Sequence, residues 1–555
     1  MSISTIDPVT RIEGHLRIEM EVTDGVVSDA WVSAGLFRGM ELILENRASQ
    51  DASIIAQRIC GVCPVSHANA ASIATENAFG IKPPEGGRMV RNLTEMAQFM
   101  HSSILWFYQL NGLDYVNPLD AINANIADTF DVCMEHGLAT ADFANLQKRL
   151  QAFAENGQLS IFSGNWFDAM NADGTPAFAL TPELNLIATA HYIEALEMQA
   201  KSSEINGILG GKMPHIMTSI AGGTMFMPTA EKLDDIWFRI QDIKRWVNNV
   251  MLPDAIALAK VYASEFNYGK SYGDYVAWGV FDAPSYALNE RYLPAGILTA
   301  EGNDLVLSDV DSNAITEDVA RAYYKPSAPV NPLEGITDPW YPAEGYDVNS
   351  KYSWCKAPRY NGKPYEAGPL SRILVAYKRG VQGVVDLVDA VLKELGQEGN
   401  IAYLESTFGR AAARAVEMVY TMDVMEQECL DLIAYLGAGE RDFYTKPTNT
   451  TGTGIALWEA PRGALYHMAK LTNDNINKYQ IIIPSTWNLA PRDENGVRGP
   501  LEQALIGLEV VDVEKPIKAL RLVHSFDPCT ACAVHVFEPK TGKSFASVES
   551  PWGVR

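Results

Sequence analysis

The chain has little cysteine, no long apolar run and few basic residues for its size. Seven cysteines in 555 residues are too few for a disulfide scaffold. No apolar run approaches the roughly 18 to 20 residues that cross a bilayer, so no membrane span is predicted. Lysine and arginine number 44 against 68 aspartates and glutamates, which gives a formal net charge of -24. This excess of acid argues against a nucleic-acid partner, because no basic face emerges easily from it.

The start of the chain and its composition exclude two further classes of protein. Residues 1–8 contain neither a basic segment nor an apolar core, so a secretory signal is not predicted. Hydrophobic residues make up 47% and charged residues 20% of the chain, which is typical of a globular protein rather than a disordered one. Length alone, at about 150 residues per domain, would predict three or four domains.

Four of the cysteines form two pairs of the same spacing, far apart in the chain. Cys60 and Cys63 make one Cys-x-x-Cys, and Cys529 and Cys532 make the other. The spacing lets two sulfurs converge on one metal, and four thiolates select zinc, iron–sulfur or another thiophilic transition metal. Half-sites this far apart cannot belong to independent domains, so we expect one intertwined domain instead of several. The remaining cysteines are predicted to be small buried apolar residues: Cys133, Cys355 and Cys429.

The hydrophobic pattern predicts mostly helices, with strands at the start of the chain. Residues 12–22 and 26–32 are rich in β-branched and apolar side chains and flank Asp24-Gly25, which favours a hairpin turn. After residue 51 the pattern becomes helical, with a helix predicted to begin at Pro64 and to end near Gly80.

Longer helices and one irregular region complete the predicted architecture. Residues 282–367 are rich in Pro, Gly, Asp, Asn and Tyr and predict an extended excursion with short strands. We therefore predict an α+β, predominantly α-helical fold. A central bundle of long helices carries small N-terminal and peripheral β-sheets, and both chain ends meet at a buried metal site. The long helices are predicted at residues 88–110, 182–209, 231–266, 371–395 and 410–436.

Three ionisable residues near these motifs each allow a functional and an ordinary interpretation. Glu13 lies in the predicted first strand and could be a solvated surface carboxylate. His67 lies one helical turn after Cys63, so it is either a donor to the metal site or an ordinary core histidine. Arg462 follows Pro461 at the start of a predicted helix. Its fork of donors suits an anion or a polarised small ligand, but an ion pair with a glutamate fits the spacing equally well.

These motifs together resemble the large subunit of nickel–iron hydrogenase. The resemblance runs over essentially the whole chain in the expected order, and the set is far more specific than one Cys-x-x-Cys. It rests on Arg58-Ile59-Cys60-Gly61-Val62-Cys63 with His67, Asp527-Pro528-Cys529-Thr530-Ala531-Cys532-Ala533-Val534-His535, Arg11-Ile12-Glu13-Gly14-His15 and Glu459-Ala460-Pro461-Arg462-Gly463. Further matching stretches are Phe37-Arg38-Gly39-Met40-Glu41, Gly210-Gly211-Lys212-Met213-Pro214-His215, Lys356-Ala357-Pro358-Arg359-Tyr360 and Pro484-Ser485-Thr486-Trp487-Asn488.

The resemblance implies a ligand set for a nickel–iron centre. Cys60 and Cys529 would be terminal thiolates on nickel. Cys63 and Cys532 would bridge nickel to an iron that carries carbon monoxide and cyanide. Strongly donating sulfur suits a nickel ion that changes oxidation state.

The resemblance also implies roles for residues around that centre. Arg462 would lie over the open face of the metals and donate to one cyanide, and Ser485 would donate to the other. His67 would donate to a bridging sulfur, and Glu13 would receive the proton from the Cys529 sulfur. Two further residues expected to surround the centre are Pro461 and Asp527.

A magnesium ion and a processing site are implied near the end of the chain. Glu41, His535 and the backbone carbonyl near Ile481 would bind Mg²⁺ through a mostly oxygen and water shell. A dedicated endopeptidase would cut between His535 and Val536 once chaperones have inserted nickel. The mature domain would then be residues 1–535, and residues 536–555 would be a propeptide.

The activity implied is the reversible heterolytic cleavage of H2 to two protons and two electrons, in the uptake direction. The chain has no further cysteine clusters for iron–sulfur centres, so a small subunit carrying them is expected, in a heterodimer or a dimer of heterodimers. His215 would face that partner. The expected location is the periplasm or the periplasmic face of a membrane, reached through the small subunit's signal, with the cytoplasm as the alternative. Contact with the membrane would come only through partners.

One departure and two rival functions accompany the resemblance. Where many relatives have an aspartate after the histidine of the 88–110 helix, this chain has His101-Ser102-Ser103, so a carboxylate expected near Arg462 is missing. The first rival is a structural zinc protein whose cysteines only staple the fold. The second is a quinone-reductase-type subunit on the same fold without metal chemistry, which the presence of all four thiolates disfavours.

Overall fold

The structure, a computed structural model, describes residues 1–162, 164–302 and 304–530. None of the helices in these ranges combines the length and the apolarity needed to span a bilayer. The α-helices are α1 Met40–Leu44, α2 Asp51–Ala56, α3 Pro64–Phe79, α4 Glu85–Ile104, α5 Ile126–His136, α6 Phe143–Glu155, α7 Pro182–Gly210, α8 Ala230–Trp246, α9 Leu252–Val261, α10 Pro369–Lys378, α11 Gln382–Glu394, α12 Thr407–Gly437, α13 Pro484–Asn488, α14 Pro500–Leu505 and α15 Ile517–Ser525. The strands are β1 Ser2–Ile6, β2 Leu16–Thr23, β3 Val26–Ala34, β4 Ser219–Ile220, β5 Gly223–Thr224, β6 Tyr275–Ala277, β7 Gly296–Glu301, β8 Asp304–Ser308, β9 Ile315–Asp318, β10 Ala357–Tyr360, β11 Glu366–Ala367, β12 Gly452–Ala460, β13 Gly463–Thr472 and β14 Asn475–Ile482.

The long helices α4, α7, α8 and α12 pack against one another and form the central bundle. Helix α12 lies at its middle and also contacts α9, α10 and α11. Its start is fixed by Ser406, whose hydroxyl accepts the Gly409 N–H at 3.1 Å, and α7 begins at Pro182 after a Thr181 cap. The bundle's buried faces form one continuous core, as a predominantly helical fold requires.

Small, mainly antiparallel sheets lie around the bundle. Strands β1, β2 and β3 form the N-terminal sheet, with Asp24 and Gly25 at positive φ in the turn between β2 and β3. Strands β12, β13 and β14 form a meander that packs on α3. The predicted fold class is therefore confirmed, with sheets both at the N-terminus and at the periphery.

Two predicted elements have different bounds in the structure. The first strand of the predicted hairpin begins at Leu16 instead of residue 12, because Arg11 and Gly14 adopt positive φ and interrupt the extended chain. The helix predicted over residues 371–395 is two helices, α10 and α11, separated at Gly380, whose φ is 74°.

Other boundaries agree with the pattern or were not predicted. Helix α3 begins at Pro64 and ends at Gly80, which has a φ of 69°. Helix α4 continues into a π-helical segment, Leu105–Asn111. The helix predicted over residues 231–266 is α8 and α9 joined by a π-helical segment, Val247–Met251, and α9 ends at Val261. Helices α5 and α6 were not predicted, and residues 282–367 contain only short elements, as predicted.

Candidate metal centre

The first two cysteines are presented by a turn at the start of α3. A single 3₁₀ turn, Gln57–Ile59, leads into Cys60, and Cys63 is the residue before Pro64, the first residue of α3. The backbone N–H groups of Val62 and Cys63 donate to Cys60 Sγ at 3.2 and 3.4 Å. These donors and the positive end of the helix place positive partial charge beside the Cys60 sulfur.

Cys529 reaches the same place from the other end of the chain. The backbone of Glu13 forms an isolated parallel bridge with Cys529, and the Thr530 N–H donates to the Glu13 carbonyl at 2.7 Å. The Cys529 N–H donates to Ser485 Oγ at 3.0 Å. Cys529 is thus held between the N-terminal segment and α13.

The sulfurs of Cys60, Cys63 and Cys529 form a buried cluster. They lie within 4.8 Å of one another, and the Cys60 and Cys529 sulfurs are 3.5 Å apart. Two thiolates that share one metal at about 2.3 Å each have a similar separation. The expected meeting of the two chain ends is therefore present, while Cys532, His535 and Val536 lie outside the described residues.

Arg462 lies in a hairpin turn, so its prediction at the start of a helix is wrong. Strands β12 and β13 are joined at Pro461 and Arg462, and Gly463 follows with a φ of 130°. A Cβ at Gly463 would lie 2.6 Å from the Gly368 nitrogen, so the hairpin packs directly on the chain before α10. Only glycine permits both this conformation and this approach.

The Arg462 guanidinium is buried and paired with an aspartate. Its Nε lies 3.1 Å from Asp527 Oδ1, and its Nη1 donates to Ser102 Oγ at 3.4 Å. The other Asp527 oxygen accepts from Arg414 Nη2 at 2.8 Å. Ser102 stands where the sequence comparison expected an aspartate, and Asp527 supplies a carboxylate to Arg462 from the other end of the chain. The sequence allowed an ion pair between Arg462 and a glutamate. The structure has an ion pair with an aspartate instead.

The charge state of Arg462 follows from these neighbours. Burial disfavours the cation, but Asp527 and the sulfurs of the cluster outweigh it and hold the pKa of Arg462 well above its ordinary value. Its Nη2 is buried and has no hydrogen-bond partner among the described residues. A permanent cation therefore lies beside the sulfurs with the two N–H groups of Nη2 still available.

Glu13 is half-buried beside the cluster instead of lying on a solvated strand face. Burial and the Cys60 sulfur raise the pKa of the Glu13 carboxyl, while Arg462 and Arg38 act in the opposite direction. A carboxyl with a raised pKa next to a thiolate can exchange protons with it.

His67 is buried on α3 and hydrogen-bonded to a second histidine. Its Nδ1 lies 3.2 Å from His467 Nε2, and His467 Nδ1 lies 2.8 Å from the Tyr479 hydroxyl. Burial lowers the pKa of His67 to about 4, although the Cys60 sulfur opposes the shift. The His67 Nε2 has no hydrogen-bond partner among the described residues.

Glu41 and Ile481 meet beside a separate small cavity. The Ile481 N–H donates to Glu41 Oε1 at 2.8 Å, and the Thr337 hydroxyl donates a hydrogen bond to Glu41 Oε2. The cavity has a volume of about 70 Å³ and is also lined by Glu317 and Lys356, which form an ion pair at 3.1 Å. Oxygen donors of this kind suit a hard divalent cation.

Several residues of the centre were not predicted as functional. Arg414 joins Asp527 to the bundle, and His467 and Tyr479 extend the chain from His67. The signal for Arg414 was present in the sequence, since an arginine within an alanine-rich helix needs a buried partner. No local signal distinguishes His467 or Tyr479 from ordinary residues of a strand.

The donor set fits a soft metal centre with small polar ligands. Three buried sulfurs converge, and the buried nitrogens Arg462 Nη2 and His67 Nε2 have no hydrogen-bond partner among the described residues. Sulfur ligands select thiophilic transition metals, and the remaining donors suit ligands that accept hydrogen bonds. A nickel–iron centre meets both conditions.

Comparison with known proteins agrees with this geometry. The family model described as nickel-dependent hydrogenase matches residues 38–535, and a HoxL-like model matches residues 4–33. The chain is 37% identical to the hydrogenase-2 large chain of Escherichia coli K12, covering 96% of this chain and 97% of that one. It is 35% identical to the uptake hydrogenase large subunit of Bradyrhizobium diazoefficiens, covering 98% and 96%.

Solved structures lead to the same family. The Ni-Fe-Se hydrogenase of Desulfovibrio vulgaris Hildenborough in the reduced state superposes with a TM-score of 0.78 at 32% identity, over 96% of this chain and all of that one. The similarity spans both half-sites of the sulfur cluster and the whole helical bundle. This chain therefore belongs to the nickel-dependent hydrogenase family and is a catalytic large subunit of the nickel–iron type.

Proposed function

We propose that the chain oxidises H2 heterolytically at a nickel–iron centre bound by Cys60, Cys63, Cys529 and Cys532, with carbon monoxide and cyanide on the iron. The observation that carries the proposal is the cluster of three buried sulfurs, within 4.8 Å of one another, beside the guanidinium of Arg462. When bound, the centre supplies the Lewis acidity and the redox change that H2 cleavage needs. The chain itself supplies placement, a dry site and proton acceptors.

The proton is expected to leave through Cys529 and Glu13. The Cys529 sulfur would act as the base once the centre is bound, and Glu13 is paired with Cys529 through the backbone. The raised pKa of the Glu13 carboxyl supports this role, because it brings the acid closer to the basicity of a metal-bound thiolate. Glu13 then passes the proton outward.

Three donors are proposed to orient the small ligands and sulfurs of the centre. Arg462 offers its unpartnered Nη2–H to one cyanide. Ser485 accepts from the Cys529 N–H, which leaves its own O–H available for the other cyanide. His67 offers a ring nitrogen to a bridging sulfur, while Pro461 and Asp527 fix the position of Arg462.

A magnesium ion is proposed beside Glu41. Its ligands would be the Glu41 carboxylate, the Ile481 carbonyl and the side chain of His535. The meeting of Glu41 with the Ile481 backbone beside a cavity of about 70 Å³ supports this assignment.

Access of H2 is proposed through an apolar cavity of about 480 Å³. Its walls include Phe107, Leu113, Val116 and Ile187, whose apolar side chains suit the passage of an apolar gas. The π-helical segment that carries Phe107 continues α4, which places Ser102 beside Arg462.

An iron–sulfur small subunit is the proposed electron acceptor. In the described part of the chain, the cluster of Cys60, Cys63 and Cys529 is the one group of cysteines that could hold a metal, so the electrons need another carrier. The names of the relatives, large chains and a large subunit, support a heterodimer or a dimer of heterodimers. The uptake direction is supported by the Bradyrhizobium relative.

The face next to Cys60 is the proposed docking surface for that subunit. Ile54 and Met217 expose 37% and 49% of their surface there, and an exposed apolar patch can mark a protein–protein interface. Gln57 connects the segments that carry Ile54 and Met217, because its side-chain amide donates to the Ser53 and Ile216 carbonyls. Burial and the charges of Arg58 and Lys212 lower the pKa of His215, and the Cys60 sulfur opposes this shift, so His215 lies near that sulfur.

The proposed function also includes processing of the chain after His535 and a location for the mature protein. The family match ends at residue 535, which supports cleavage between His535 and Val536 by an endopeptidase after nickel-insertion chaperones have acted. The mature domain would be residues 1–535. The proposed location is the periplasm or the periplasmic face of a membrane, reached with the small subunit, and the cytoplasm is the alternative.

The test is an infrared spectrum with nickel and iron quantified, on the native protein with its co-purifying partner. Bands in the carbon monoxide and cyanide region with equimolar nickel are expected. Zinc without such bands would overturn the proposal in favour of a structural thiolate site. A quinone-reductase-type subunit would give neither zinc nor diatomic bands.

A further inference from the structure

Three buried side chains form a hydrogen-bonded row that ends at the sulfur cluster. Tyr479 on β14, His467 on β13 and His67 on α3 are each fully buried. The Tyr479 hydroxyl lies 2.8 Å from His467 Nδ1, and His467 Nε2 lies 3.2 Å from His67 Nδ1. The far nitrogen of His67, Nε2, has no hydrogen-bond partner among the described residues. His67 lies one turn beyond Cys63, and the charge of the Cys60 sulfur acts on its ring.

All three groups are uncharged in the folded chain. Burial lowers the pKa of His67 to about 4 and that of His467 well below its ordinary value. Burial also raises the pKa of Tyr479, so its hydroxyl keeps its proton. Each imidazole therefore carries one N–H and one bare nitrogen, and the question is which nitrogen has the proton.

The tyrosine decides the direction of the row. Its hydroxyl must donate its proton, and among the described residues its hydrogen-bond partner is His467 Nδ1. That nitrogen is therefore bare, and the proton of His467 sits on Nε2. Since Nε2 donates to His67 Nδ1, this nitrogen is also bare, and the proton of His67 sits on Nε2. The reverse direction would leave a buried tyrosine hydroxyl without an acceptor.

We propose that Tyr479 and His467 are positioning residues that fix the tautomer of His67, so that its Nε2–H is presented to the metal centre. The inference rests on the proposed function, in which His67 donates to a sulfur of the nickel–iron centre. It adds two residues, contributed by a different layer of the fold, that determine whether His67 is a donor at all. Second partners of this kind commonly orient imidazoles around metals.

The experiment uses the Tyr479→Phe variant in the complete, metal-loaded complex. With histidine nitrogens labelled, long-range nitrogen–proton spectra of the nine histidines report which ring nitrogen carries each proton. In the unsubstituted protein, His67 and His467 should both be protonated at Nε2. In the variant His467 loses its fixed donor, so both rings should show a mixture of tautomers. The infrared bands of the diatomic ligands should shift, and turnover should fall about tenfold with the KM for H2 unchanged.

Tyr466→Phe is the matched control. Tyr466 precedes His467 on β13 and is equally buried, but adjacent strand residues point to opposite faces. It should change neither the tautomers nor the infrared bands. Unchanged tautomers in Tyr479→Phe would overturn the inference, as would an equal change in the control.

A second measurement tests the inference even if the Tyr479→Phe variant does not fold. Neutron diffraction on deuterium-exchanged crystals of the unsubstituted complex should place deuterium on His67 Nε2 and on Tyr479 Oη toward His467. Deuterium on His67 Nδ1 would overturn the inference. Absence of diatomic bands and nickel would instead refute the proposed function, and the two failures are therefore distinguishable.

Discussion

The two halves of the sulfur cluster are built in opposite ways. Cys60 and Cys63 lie within four residues on a turn whose own N–H groups donate to the Cys60 sulfur, and α3 follows at once. Cys529 depends on partners far away in sequence, namely Glu13 for its backbone and Ser485 for its N–H. The first half is preformed by local structure, whereas the second exists only once the whole chain has folded.

The largest difference should appear between Gly61, in the first half, and Gly463, in the hairpin that carries Arg462. A Cβ at Gly61, between the first two cysteines, meets nothing within 4 Å, and the residue does not have positive φ, so a side chain is accommodated there. Gly61→Ala should change the free energy of unfolding by less than about 0.5 kcal/mol. Gly463→Ala should cost more than about 4 kcal/mol, because both its φ and its contact with Gly368 exclude a side chain. Thermal unfolding of the two variants measures this, and equal losses would contradict the comparison.

The next largest effect on stability should come from breaking one buried ion pair near each half of the sulfur cluster. Asp527→Asn removes the carboxylate shared by Arg414 and Arg462. Glu76→Gln changes α3 and removes the carboxylate that pairs with Arg91. Each should cost about 3 to 5 kcal/mol, since a buried cation loses its counter-charge. Only Asp527→Asn should also shift the infrared bands of the bound centre, because only Arg462 faces the sulfurs. A shift of the same size in Glu76→Gln would show that general loosening is the cause.

Ser485→Ala tests the support of Cys529 alone. The variant leaves the buried Cys529 N–H without its acceptor, which should cost about 1 to 3 kcal/mol and lower nickel retention. The neighbouring Thr486→Ala is the control, because Thr486 lies on the same short helix without bonding Cys529. Chelator challenge followed by metal analysis provides the measurement. Equal nickel loss in both variants would contradict a specific role for Ser485.

The smallest effect is expected at Ser102. Its contact with Arg462 is long, at 3.4 Å, and Asp527 already carries the charge pairing. Ser102→Ala should therefore change stability by less than about 0.5 kcal/mol and leave the diatomic bands nearly unmoved. A loss comparable to that of Asp527→Asn would mean that Ser102 contributes as much to fixing the arginine.

The sequence predicted the first half of the site better than the second. Pro64 and Gly80 bound α3 as their backbone preferences require, and the helical bundle follows from periodicity. The hairpin at Arg462 was missed because residues 459–467 are all buried, polar and apolar alike, so they lack the alternation that marks a half-exposed strand. The break at Gly380 was missed because both flanking segments continue the helical pattern.

The sequence by itself determined the chemistry of this protein, while the tertiary structure decided its geometry. The two Cys-x-x-Cys pairs, with their neighbouring motifs, specify thiolate ligands and identify the family, because ligand type and spacing are local properties. The pairing of Arg462 with Asp527, the bridge from Glu13 to Cys529 and the row from Tyr479 to His67 join residues from different layers of the fold. Such contacts depend on how helices and sheets pack, and local propensity carries no information about them.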